Sequence, residues 1–271
     1  MLFGIGTLIG LALGLTGAGG SLLAVPLLVL LAGLTQSQAA GLALAAVGLS
    51  ALFGVALRLG KRQIAWWPAM ILVAIGVPLA PVGQWLARLL PESWVMTSFA
   101  VLVVVVSVRL WRSASRDPAT AQVVRADPGE ALPQRDGLAC SMSETGYFEL
   151  RWPCISRLLW VGAVTGLLSG LYGVGGGFVI VPALILLTGM QLTQAVATSL
   201  VIISWVSVAG FSSFLWHTHL PLTTILPLVG GACAGMLAGT LVAHKVAGAR
   251  LQQLLSVALV VLMVLSLWRI F

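Results

Sequence analysis

The stretch from Gly10 to Pro26 recurs from Gly166 to Pro182. The first copy reads Gly-Leu-Ala-Leu-Gly-Leu-Thr-Gly-Ala-Gly-Gly-Ser-Leu-Leu-Ala-Val-Pro. The second reads Gly-Leu-Leu-Ser-Gly-Leu-Tyr-Gly-Val-Gly-Gly-Gly-Phe-Val-Ile-Val-Pro. The offset is 156 residues without a gap, and it goes on to match Gly33 with Gly189, Gln38 with Gln194 and Ala39 with Ala195. A duplicated apolar half, with a glycine cluster inside a membrane-length segment of each copy, is the pattern of chains built from internal membrane repeats.

The solvent for such a chain is lipid. Hydrophobic residues make up 59% of the sequence and charged residues 8%, against about 25% charged in a soluble domain. Apolar runs extend from Met1 to Leu57, Gln63 to Ala87, Ser93 to Val108, Leu158 to Trp216, Leu220 to Ala243 and Leu251 to Trp268. A spanning helix needs about 20 apolar residues, so the two longest runs each hold more than one element. No Lys or Arg precedes Arg58, so the start lacks the basic region of a signal peptide and reads as retained.

The net charge of +7 is unevenly placed. Ser113 to Pro153 holds four basic and six acidic residues, and the remainder holds ten basic residues and one acid, Glu92. Basic residues flanking apolar runs set membrane topology; they do not form a nucleic-acid face, and no nucleic-acid partner is expected. The segment 113–153, with several Pro and Gly and no apolar period, reads as a polar linker. It separates a first membrane repeat, 1–112, from a second, 154–271.

Each half is expected to be all-α, with four hydrophobic elements. These fall at about 2–32, 36–58, 64–88 and 93–111, then 157–188, 192–216, 220–244 and 250–270. The first element of each half carries glycines at its middle: Gly17, Gly19 and Gly20, then Gly173, Gly175, Gly176 and Gly177. Each glycine weakens a helix by about 1 kcal/mol relative to alanine. Pro26 and Pro182 follow and each removes a backbone donor. Two geometries fit: a broken helix that spans, or a re-entrant hairpin. The hairpin gathers the Arg58, Lys61, Arg62 cluster, the Arg109, Arg112, Arg116 cluster, Lys245 and Arg250 on one side, so charge placement favours it and makes the halves inverted.

A helix starting at Ser21 or Gly177 would aim backbone N–H groups and the positive end of its dipole at the break, which is an anion site. Glycine there admits a ligand close to the backbone. Gly10, Gly14, Gly166 and Gly170 have the simpler role of letting helices approach closely. Gln38, Gln194, Thr198 and Ser199 can replace part of an anion's hydration. Alternatively, hydroxyls bond to their own helix and the glutamines sit in capped first turns. No carboxylate lies inside a span, which argues against a carboxylate-centred cation carrier.

Cys140, Cys154 and Cys233 have no metal-ligand spacing and read as small packing residues. His217, His219 and His244 read as interfacial, so no metal or cofactor is expected. Trp66, Trp67, Trp85, Trp94, Trp111, Trp152, Trp160 and Trp268 read as interface anchors. Enzyme readings fare poorly: the Gly-x-Gly-Gly-Gly segment lacks the Lys-Ser/Thr of a phosphate loop, and Ser169 has no catalytic partners.

Gly173-Val-Gly-Gly-Gly177 followed by Val181-Pro182, then Gln194-Ala-Val-Ala-Thr-Ser199, resembles the TauE/SafE family of membrane permeases. In the first copy Ser21 replaces the last glycine, and Gly41-Leu-Ala43 lacks the Thr-Ser pair. The resemblance covers the chain apart from the linker. It implies transport of sulfite, sulfonates or related sulfur oxyanions across a bacterial inner membrane. The expected function is thus a secondary transporter for a small anion, with alternating access rocking one repeat against the other and Gly17, Gly19, Gly20, Ser21, Gly173, Gly175, Gly176 and Gly177 as binding backbone. Gln38, Gln194, Thr198 and Ser199 are the expected side-chain contacts. An anion channel of the same fold or a non-transporting scaffold is the alternative, and a homo-oligomer is left open.

Overall fold

A computed structural model of the chain describes residues 1–17, 20–61, 63–116, 152–217, 221–246 and 249–270. Of the linker, residues 117–151 lie outside them; α5 runs on through Arg116 and the next helix begins at Trp152. Among the described residues every long element is helical. The first half holds α1 (Leu2–Thr16), α2 (Ser21–Ala32), α3 (Gln36–Ala56), α4 (Trp66–Leu89) and α5 (Glu92–Arg116). The second holds α6 (Trp152–Tyr172), α7 (Gly177–Thr188), α8 (Leu192–His217), α9 (Leu222–Val246) and α10 (Ala249–Ile270). The repeat offset maps α2 onto the bounds of α7, and Trp66–Leu89 onto 222–245 within α9.

The elements follow from local chemistry. Thr35 caps α3: its hydroxyl accepts from the Gln38 backbone N–H at 3.5 Å, the bond expected of an N-cap threonine. Gly33 and Gly189 end α2 and α7 in the left-handed conformation that favours glycine. Among the described residues six helices are long and apolar enough to cross a membrane: α3, α4, α5, α6, α8 and α9. The sequence assigns α6 to the first arm of a hairpin, yet Cys154–Tyr172 has spanning length by itself.

The halves do not pack as separate bodies. The most extensive helix pairs are α1 with α9 and α4 with α6, each joining one half to the other. Glycines make both seams. A Cβ at Gly6, Gly10 or Gly14 would run into the carbonyls of Leu228, Ala232 and Met236. On the facing helix, a Cβ at Gly231, Gly235 or Gly239 would run into those of Phe3, Thr7 and Leu11. Gly162, Gly166 and Gly170 meet Leu72, Gly76 and Ala80 of α4 in the same way. Lipid gives no hydrophobic drive between helices, so close backbone approach of this kind is what holds them. The small-residue role expected for Gly10, Gly14, Gly166 and Gly170 is therefore observed.

Residue numbers rise together along both seams, so α1 and α9 are parallel, as are α4 and α6. At the centre α3 and α8 cross antiparallel, with Gly41 on Phe214, Leu44 on Gly210, Gly48 on Ser207 and Gly54 on Leu200. The chain doubles back at both glycine clusters. Gly20 lies against the backbone of Ala12 and Leu13, and Gly176 lies beside Thr165, so α2 and α7 return along α1 and α6. Trp66, Trp67, Trp85, Trp94, Trp111, Trp152 and Trp160 are all exposed on the bundle's outside; the Trp268 side chain lies outside the described residues.

One reading is corrected. Cys154 is disulfide-bonded, so it is not a free packing residue; Cys233 is free, and Cys140 lies outside the described residues.

Candidate functional site

The second glycine break is a tight turn built on left-handed glycines. Gly173, Gly175 and Gly176 have φ of 73°, 70° and 68°. The Gly173 N–H donates to the Ser169 carbonyl at 2.9 Å and closes α6. A Cβ at Gly173 would collide with Ala40 of α3. One at Gly175 would lie 3.0 Å from Ser207 Oγ, 3.1 Å from Val47 Cγ1 and 3.2 Å from Ile203 Cγ2. Gly175 thus sits where α3 and α8 cross. Gly177 opens α7, and the N–H groups of Val179 and Ile180 donate to the Gly176 carbonyl.

Two buried hydroxyls border this turn without a partner: Ser207 Oγ on α8 and Ser169 Oγ on α6. Sequence reasoning missed Ser207. Its only signal was a small polar residue deep in an apolar run, which many back-bonded serines share.

The first break makes its turn differently. Gly17 has φ of 72° and its N–H donates to the Leu13 carbonyl at 2.7 Å. Gly20 takes a right-handed conformation, φ −64°, and its N–H donates to Thr16 Oγ1 at 2.9 Å. Thr16 in turn donates to the Ala12 carbonyl. Ser21, which opens α2, is fully buried. Gly19 lies outside the described residues. A Cβ at Gly17 would collide with Val196 of α8, as Gly173 would with Ala40 of α3. Residues 40 and 196 are related by the repeat offset, so each break docks on the central helix of the opposite half.

The four candidate side chains fall near these contacts but mostly have structural partners. Gln38 and Gln194 are half-buried in the first turns of α3 and α8, two residues before Ala40 and Val196. Thr198 is fully buried, and its Oγ1 accepts from the Ala65 N–H at 3.0 Å, tying the α3–α4 connection to α8. Ser199 is also fully buried and donates to the Val196 carbonyl at 2.9 Å.

A cavity of about 140 Å³ lies beside the second break, between α3, α4, α5 and α6. Its polar lining is Gln36, Ser37, Gln84, Arg88 and Glu92. Gln36 and Gln84 are buried; both amide atoms of Gln36 and the Oε1 of Gln84 have no partner. Glu92 Oε1 accepts from the Gln36 backbone N–H at 2.9 Å. Sequence reasoning named Glu92 only as an acid at a helix end and missed the rest, because these residues are brought together from separate helices. At the other end of α3, Arg58 buries Nη1 without a partner, and burial pushes its pKa below the ordinary arginine value.

An all-helical bundle with spanning-length helices, doubled back on glycine turns, defines a multi-pass membrane protein. The model of the sulfite exporter TauE/SafE family matches residues 2–266, so the chain belongs to that family of membrane transporters. It is 27% identical over 269 residues to a probable membrane transporter protein of Xylella fastidiosa (strain Temecula1 / ATCC 700964), covering 98% of this chain and 94% of the relative. It is 24% identical over 271 residues to the probable membrane transporter protein YunE of Bacillus subtilis, covering 95% and 93%. A third relative, the probable membrane transporter protein MamO of Magnetospirillum gryphiswaldense, is 27% identical over 201 residues, which is 68% of this chain and 31% of that protein. No solved structure matches. Family and relatives point to a transporter rather than an enzyme.

Proposed function

We propose that the protein is a secondary transporter for a small sulfur-containing anion, sulfite or an organic sulfonate, in a bacterial inner membrane. One observation carries the reading. At the crossing of α3 and α8, a left-handed glycine turn opens α7 beside an unpartnered buried hydroxyl, Ser207 Oγ. Backbone without side chains, the positive end of a helix and a free hydroxyl suit an anion that must shed water. The cation Arg58 beyond one end of α3 adds attraction of the right sign.

The antiparallel crossing of α3 with α8 supports inverted repeats. The swapped seams alter the expected motion. Because α1 is locked to α9 and α4 to α6, alternating access moves these cross-half units against each other rather than one sequence half against the other. With the basic clusters cytoplasmic, the 140 Å³ cavity opens outward.

The test is flux of radiolabelled sulfite into proteoliposomes, competed by sulfonates, sulfate and thiosulfate. Saturable flux with selective competition is the expected result. No flux of any of these in folded protein would exclude a sulfur anion. Acceleration by substrate on the far side separates a carrier from a channel.

A further inference from the structure

The cavity beside the second break holds more anion-binding capacity than the protein uses. The N-terminus of α3 presents backbone N–H groups and a positive dipole end, and a carboxylate from α5 already occupies it: Glu92 Oε1 accepts from the Gln36 N–H at 2.9 Å. Around that contact stand groups that Glu92 leaves unused. Gln36 is 5% exposed with neither amide atom partnered, and Gln84 is 7% exposed with Oε1 unpartnered. A buried amide without a partner costs about 1–3 kcal/mol. Such groups persist where something else satisfies them. Arg88 supplies a cation at the rim, exposed like Glu92.

The space is small. About 140 Å³ is close to the roughly 150 Å³ of an engineered cavity that takes one benzene. That suits an oxyanion of a few heavy atoms with little accompanying water. The cavity also leads to the glycine turn: Ala40 lines it and is the residue against which Gly173 packs.

We propose that this cavity is an anion-binding subsite in which the Glu92 carboxylate is a built-in stand-in for the substrate. A small oxyanion takes over the Gln36 N–H, gains the Gln36 amide and the Arg88 guanidinium, and displaces Glu92 into the water at the rim. Two anions cannot share one helix end without repulsion, so the carboxylate and the substrate exclude each other. Glu92 then keeps the empty site paired and lowers affinity enough for release. The proposal rests on the anion-transport reading and adds a site to it, since none of these four side chains belongs to the glycine breaks.

Removing the competitor and removing the anchor should act in opposite directions. In proteoliposomes, Glu92→Gln should lower the half-saturating sulfite concentration about fivefold. Arg88→Gln should raise it about tenfold. Thr240→Val, at the position the repeat matches to Gln84, serves as the control. Thermal shift of the purified full-length protein with sulfite reads binding without flux, and should rise in Glu92→Gln and shrink in Arg88→Gln. Flux that saturates alike in wild type and Glu92→Gln, or more weakly in Glu92→Gln, overturns the subsite and leaves the transport reading standing. The opposed thermal shifts without any flux would keep the subsite and remove the transport reading. Neither flux nor thermal shift would remove both.

Discussion

The two glycine breaks occupy matching places yet make their turns by different means. The second needs left-handed backbone at Gly173, Gly175 and Gly176. The first has a left-handed Gly17, then a right-handed Gly20 whose N–H is held by the Thr16 hydroxyl. The polar residues of the two copies differ as well. Beside the second break lie Gln36, Gln84, Arg88 and Glu92, which the offset matches in sequence with Leu192, Thr240, His244 and Gly248. The repeat thus carries a glycine turn in both copies, while the polar set beside the second turn is not repeated in the sequence. Symmetry of backbone does not require symmetry of chemistry.

The sharpest way to break this comparison is to force a side chain into the second turn. Gly176→Val meets both a positive φ and a Thr165 carbonyl 3.0 Å from the new Cβ, so flux should fall about tenfold or more. Gly177→Ser, which copies Ser21 of the first break, should fall only about twofold, since α7 begins there in ordinary helical conformation. Equal losses in the two variants, measured as sulfite flux in protein of matched folded yield, would mean the turn's conformation is not what matters.

The seams come next. Gly10→Ala and Gly170→Ala each drive a Cβ into a carbonyl of the opposite half and should cost about 1–3 kcal/mol. Gly230→Ala, whose nearest neighbour would be Phe3 Cε2 at 4.0 Å, should be neutral. Melting of the detergent-purified protein separates these. A smaller effect is expected at Thr198→Val, about 1 kcal/mol, because it releases the Ala65 N–H. Ser199→Ala should change stability less, since its bond runs only to its own helix. The smallest is loss of the α3 cap in Thr35→Ala, at about 0.5–1 kcal/mol. A Thr35→Ala variant that also shifted sulfite affinity would tie the cap to the cavity next to it.

The repeat made much of the fold legible. A gap-free offset of 156 carried the helix starts at Ser21 and Gly177 directly from one copy to the other. The glycine clusters marked the turns, since little else breaks an apolar segment so sharply. The partners across the bundle were not legible. Gly10 announces a close neighbour but not that the neighbour is Ala232, because every small-residue face is compatible with several others. Thr198 and Ser199 look alike in sequence as polar groups in an apolar helix. The structure gives one a long-range backbone donor and the other a local carbonyl. The cavity was invisible for the same reason: Gln36 and Glu92 are 56 positions apart, and no local pattern links them.

The exchanged helix partners have a consequence for how the chain is made. Synthesis delivers α1 roughly two hundred residues before α9, the helix that carries the mate of its glycine face. Until then the opening hairpin waits in the bilayer with its carbonyl-lined groove unfilled. The first half is therefore not an independent folding unit, and assembly is a closing step that involves nearly the whole chain at once. A gene cut within the linker would yield two fragments that each remain unfinished apart and complete each other when made together.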